Sequence, residues 1–139
     1  MKLSTLIEAF GLGAAGDAKR LVARLPGAGM RVAASDEAVV RALSRARHER
    51  VALADGHAAA ALSLGLGADE DGLVRVEALC AATSEGGIVI VCETQSLGGS
   101  ADRARTAGLF LRAGLVALAQ ETDGSTVFTS GRVRRPLVG

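Results

Sequence analysis

Gly86-Gly87-Ile88-Val89-Ile90-Val91-Cys92 is a pair of glycines followed by five apolar residues without alternation. A strand with one face in water alternates apolar and polar side chains, so an unbroken run of valine and isoleucine implies a strand covered on both faces, as in a parallel sheet. The two glycines supply the turn into it. Such a strand needs covering layers, and the flanking sequence has the patterns to provide them.

On the amino side, Leu73, Val76 and Cys80 have helical spacing and predict a helix from about Asp71 to Ala82. Before it, Val51 to Ala54 and Ala58 to Leu64 are short apolar runs separated by Asp55-Gly56-His57, read as strand, turn and strand. Met30 to Ala34 is a further strand-like run. A helix over Asp17 to Leu25 is stopped by Pro26-Gly27; another begins at Ser35 as its cap, carries Asp36 and Glu37 in its first turn and ends near Arg47. Leu3, Leu6, Ile7 and Phe10 also have helical spacing, although the segment reads as a strand with equal force. On the carboxyl side, a small-residue loop from Leu97 to Ala101 leads to a helix over Asp102 to Arg112, with Gly114 as its C-terminal cap. Leu115 to Glu121 and Thr126 to Val133 flank the turn signal Thr122-Asp-Gly-Ser125 and predict a closing antiparallel hairpin. Helices alternating with strands define an α/β fold in layers, and residues 1–139 suit one domain with one core.

Composition narrows function. A net charge of +1 gives no field for gathering nucleic acid or an anionic membrane, and with no Trp or Tyr and three Phe, base stacking is nearly excluded. Cys80 and Cys92 are too few for a disulfide framework, and no run of eighteen apolar residues occurs. A cytoplasmic protein is expected, with no leader or anchor.

Gly11-Leu-Gly13-Ala-Ala-Gly16 is a G-x-G-x-x-G sequence opening a predicted helix, with Asp36 twenty residues beyond its last glycine and just after a strand. In a dinucleotide or adenosyl site the glycines let the backbone approach the ligand and the acid takes ribose hydroxyls. A helix ending at a Gly11 cap accounts for the same letters. Asp36, Glu37 and Asp55 each follow a predicted strand, where open α/β sheets put their crevice, yet a helix dipole and a turn also explain them. His48 and His57 lack a metal-ligand spacing, so no metal is expected, and Ser63 lacks the G-x-S-x-G elbow of a hydrolase. Arg41, Arg45, Arg47 and Arg50 lie among acids and read as a solvated mixed face. Arg132, Arg134 and Arg135 offer contacts to a partner's carboxylates or phosphates.

The order of elements resembles the class I S-adenosylmethionine-dependent methyltransferase fold over nearly the whole chain. Arg31-Val-Ala-Ala-Ser-Asp36 resembles that family's second strand with its acid, Ala52-Leu-Ala-Asp55-Gly56 its third strand and adenine loop, and Ala60 to Gly67 its fourth strand. The glycine pair and strand at 86–92, Leu109 to Leu115 and the final hairpin are similar to its later elements. The resemblance implies a three-layer Rossmann-like sheet of about six strands, mostly parallel, with a C-terminal antiparallel hairpin. It also implies a first strand at the sheet's centre, and S-adenosylmethionine held by Gly11 and Gly13 near its methionine moiety, Asp36 on the ribose and Asp55 near the adenine.

This chain departs from the pattern. Glycines follow Glu8 at three, five and eight residues instead of two, four and six; Phe10 would crowd the methionine tail; no Asp/Asn-Pro-Pro-aromatic motif follows the fourth strand; and no lid segment is expected before the sheet. It is similar in this to degenerate methyltransferase-like domains of the anamorsin type, which keep the sheet and bind protein. The reading that follows is a non-catalytic domain with no cofactor and no catalytic residue, whose partner is another protein or a second copy, not nucleic acid or membrane. The alternatives are an active S-adenosylmethionine-dependent methyltransferase, and a nucleotide- or NAD-binding module using Gly11, Gly13, Gly16 and Asp36. Asp17 opposes the latter, since it puts negative charge where a phosphate would sit.

Overall fold

The computed structural model describes residues 13–66, 69–94 and 103–135. Gly11, the segment Leu3 to Phe10 and the loop Leu97 to Ala101 lie outside the described residues. Among the described residues, four helices, α1 (Gly13–Ala23), α2 (Glu37–Arg45), α3 (Asp69–Ala82) and α4 (Arg103–Arg112), surround six strands. The strands are β1 (Arg31–Ala33), β2 (Glu49–Val51), β3 (Ala58–Leu64), β4 (Thr83–Thr94), β5 (Val116–Asp123) and β6 (Thr126–Arg132). They form one sheet in the order β2-β1-β3-β4-β6-β5, parallel from β2 to β4 and antiparallel through β6 and β5. The expected α/β architecture with its C-terminal hairpin is therefore present.

Alternation of side chains divides β4 between two apolar layers, as the unbroken run at 88–92 required. Ile90 and Cys92 join Val32, Leu62 and Phe128 under α1 and α2, which contribute Leu21, Val22, Val39 and Leu43. Val89 and Val91 face the other way, into a core with Val76 and Leu79 of α3 and Leu109 and Phe110 of α4. Beyond the end of α1, the Arg24 guanidinium lies 3.8 Å from the centre of the Phe128 ring and pairs with Glu121, covering part of β6.

Element ends differ from the sequence expectation where tertiary contacts decide them. Helix α1 starts at Gly13, four residues before Asp17, so the last two glycines of the G-x-G-x-x-G run lie inside a helix. Asp36, not Ser35, is the N-cap of α2, and its carboxylate makes no capping bond. Helix α2 ends at Arg45: Arg47 adopts φ 63°, and the amides of Arg47 and His48 donate to the carbonyls of Ser44 and Leu43. That is a Schellman closure with arginine in the left-handed position. Helix α4 closes the same way on the expected Gly114 (φ 85°), with Gly114 and Leu115 donating to Leu111 and Phe110.

The centre of the sheet departs most. The family resemblance implies a strand between β1 and β3, but Val32 pairs with Ala60 and Ala33 with Ala61, so the two strands are direct neighbours. No strand stands between them among the described residues, and this seam has two paired positions where β3 and β4 have six. The connection from β2 to β3 is correspondingly short. Residues 52–57 make a 3-10 turn at Leu53–Asp55 and then two left-handed residues, Gly56 (φ 66°) and His57 (φ 58°), where a parallel crossover ordinarily takes a dozen or more residues.

Candidate cofactor-site region at the carboxyl ends of the strands

Open α/β sheets bind ligands outside the carboxyl ends of their parallel strands. Here that edge carries a cavity of about 450 Å³, walled by Gly13, Ala14 and Asp17 of α1, by Leu64-Gly65-Leu66 after β3, and by Cys92-Glu93-Thr94 of β4. Gly13 (φ 76°) begins α1 at this rim. Gly65 (φ 77°) turns the chain away from β3 while its amide donates to the Cys92 carbonyl at 2.8 Å.

The polar side chains of the wall are internally bonded. Asp17, with a side chain 15% exposed, accepts from the Thr94 hydroxyl at 2.6 Å and from Arg20 at 2.5 Å. Glu93 accepts a hydrogen bond from the Thr106 hydroxyl. The Cys92 thiol is pushed up to about 12, first by burial and then by the nearby Asp17 carboxylate, so it stays protonated at neutral pH.

Of the residues expected to hold a cofactor, the structure brings two to this end of the sheet. Gly13 lines the cavity. Asp36, just past β1, turns its carboxylate toward the sheet, and Oδ2 accepts the backbone N–H of Leu64 at 3.0 Å. That bond exists because β1 and β3 are adjacent: it continues the seam past its last paired residues and satisfies a donor at the end of β3. Asp55 goes elsewhere. It is exposed in the 3-10 turn, and Gly56 beside it approaches the carbonyl of Ala81 at the end of α3, whose next element begins with Thr83 opposite Ala58, at the amino ends of β3 and β4. Gly11 lies outside the described residues. Sequence reasoning put Asp17 at the ligand position but missed Glu93 and Thr94 as wall residues, although both directly follow the clearest strand and the carboxyl-end rule would have found them.

Arg132 and Arg135 are committed to backbone. Arg132 donates to the carbonyl of Gly86 at 3.2 Å and Arg135 to that of Thr83 at 2.9 Å, tying the start of β4 to the end of β6. No three His, Cys, Asp or Glu side chains converge among the described residues, and no described helix is long and apolar enough to cross a membrane.

No protein-family model and no curated protein matches this sequence. Solved structures do match its shape. A TehB-like S-adenosylmethionine-dependent methyltransferase from Corynebacterium glutamicum superposes with a TM-score of 0.58 at 14% identity, over 94% of each chain. An O-methyltransferase family protein from Burkholderia thailandensis gives 0.57 at 12% identity over 93% of this chain and 55% of its own. PigF, solved with S-adenosylhomocysteine, gives 0.56 at 14% identity over 81% of this chain and 45% of its own. The chain thus spans about half the length of the last two. At these identities the likeness establishes architecture, and the chain has the fold of the class I S-adenosylmethionine-dependent methyltransferases.

Proposed function

We propose that this chain is a non-catalytic methyltransferase-like domain of the cytoplasm that works by binding protein, in the manner of the degenerate domains of the anamorsin type. The observation that carries the reading is the bond from Leu64 to Asp36. The acid that would take ribose hydroxyls is turned into the sheet by the direct pairing of β1 with β3, and Asp55, the expected adenine contact, stands toward the opposite end. A cofactor cradle needs these groups converging on one crevice. Free Cys80 and Cys92 suit a reducing compartment. Exposed apolar side chains at Val74 (67%) on α3 and Leu111 (63%) on α4 support contact with another macromolecule, either a different protein or a second copy.

An active S-adenosylmethionine-dependent methyltransferase is the second reading. It is favoured by the cavity at the carboxyl ends of β3 and β4 with Gly13 on its rim, and by a chemistry in which positioning supplies most of the rate and few side chains act directly. Isothermal titration calorimetry with S-adenosylmethionine, S-adenosylhomocysteine and NAD separates the readings. No heat with any of the three is expected. Micromolar binding of the first two, weakened at least about tenfold by Asp36→Ala, would establish the enzyme reading instead, and binding of NAD alone would establish a nucleotide module.

A further inference from the structure

We propose that the groove between α1 and α2 is a docking site for an acidic amphipathic helix of another protein. The inference rests on the binding-module reading above, and it assigns a surface that the carboxyl-end cavity does not include. The groove has a volume of about 900 Å³ and lies on the outer side of the α1/α2 layer. Its walls join small residues, Gly16 from α1 and Ala38 and Ala42 from α2, which let another backbone approach, to apolar side chains at Val22, Leu25 and Pro26, which offer the partner an apolar contact. Its rim is basic, formed by Lys19, Arg41, Arg45 and His48, and no acidic side chain lines it.

These charges are available to a ligand. Lys19 and Arg45 are exposed and make no ion pair among the described residues, while Arg41 meets only Glu37 across one exposed helical turn, at 2.9 Å. Such an i,i+4 pair contributes little and yields readily. His48 accepts the Met30 amide on Nδ1 at 3.0 Å, which leaves Nε2 as the protonated nitrogen and a donor. Four donors and no acceptor side chain on the rim select an anionic partner. The walls select its shape: helices of eleven and nine residues run for roughly 16 and 13 Å, which matches about three turns of a third helix anchored at helical spacing. No Phe, Tyr or Trp side chain lines the groove to stack a base.

The test is selection of a phage-displayed library of helical peptides against the intact protein, followed by anisotropy titrations of the recovered peptides with Lys19→Glu and Arg45→Glu, each checked for folding by circular dichroism. Enrichment of Glu and Asp three and four residues apart is expected, with affinity falling roughly tenfold or more in each variant and with added salt. Recovery of peptides without acidic enrichment, or binding indifferent to both reversals, overturns the proposal. So does a single-stranded oligonucleotide that binds as tightly and is lost in the same variants, or a dimer in light scattering that Arg45→Glu dissolves. Calorimetry with S-adenosylmethionine on the same preparation keeps the two readings apart: heat there counts against the non-catalytic domain, whereas failed peptide binding without it counts against the groove alone.

Discussion

Asp36 carries two opposed assignments, ribose acceptor by resemblance and seam clip by geometry, and a single residue can be made to choose. If it clips the seam, Asp36→Ala strands the Leu64 amide and lowers stability by about 1–3 kcal/mol, while Asp36→Asn, which keeps an acceptor oxygen, recovers most of the loss; urea denaturation of the three proteins measures both. Cys92 offers a second test. Burial pushes its thiol up to about 12 from an ordinary value of 9.0. A raised acid pKa stabilises the fold fully below the unfolded value, and that contribution is lost as pH rises from about 9 toward about 12. Burial also raises the Cys80 thiol. Native protein at pH 8 is therefore expected to react with a disulfide reagent far more slowly than guanidinium-unfolded protein, and equal rates would show Cys92 exposed. Neither role was legible beforehand. Asp36 reads from the sequence as a first-turn acid of a helix, and nothing local to it names Leu64, twenty-eight residues on, as its partner.

At the scale of elements, the strand at 88–92 was legible because two-sided burial writes itself as an unbroken β-branched run. The α4 terminus was legible because glycine marks a left-handed cap. The α2 terminus was legible near Arg47, but its left-handed closure was not, since Arg47 occupies the same backbone position without the glycine signal. The two closures make opposite predictions. Gly114→Ala is expected to destabilise by about 1 kcal/mol, whereas Arg47→Gly relieves left-handed strain and is expected to be neutral or slightly stabilising; thermal melts of both variants decide. A larger cost is expected at Gly87, which the structure places inside β4 and not in a turn before it. A Cβ on Gly87 would collide with the Thr83 methyl and stand 2.8 Å from the Ala59 carbonyl and 2.9 Å from that of Ser84. Backbone oxygens in a paired sheet cannot withdraw as a flexible side chain can, so Gly87→Ala should cost roughly 1–3 kcal/mol or more. At Gly131 an added Cβ meets only the Leu118, Leu115 and Phe110 side chains, nearest at 2.8 Å, and a smaller loss is expected.

For the whole molecule, the layering followed from periodicity, because burial on two faces and on one face leave different patterns. The centre of the sheet did not follow. Which strands become neighbours is decided by packing between distant segments, and the short runs at 31–33 and 58–64 carry no mark of pairing with each other. For the same reason, Gly13 and Asp36 arrive at one end of the sheet while Asp55, carried by a six-residue crossover, arrives toward the other. The separation of Asp36 from Asp55 thus follows from one seam. Cross-strand nuclear Overhauser contacts measured on isotopically labelled protein test that seam directly. Close Ala33 to Ala61 and Val32 to Ala60 backbone contacts, with a Leu64 amide resonance that shifts in Asp36→Ala and is unmoved by S-adenosylmethionine, are the expected result; contacts from both strands to a third strand lying between them would contradict it.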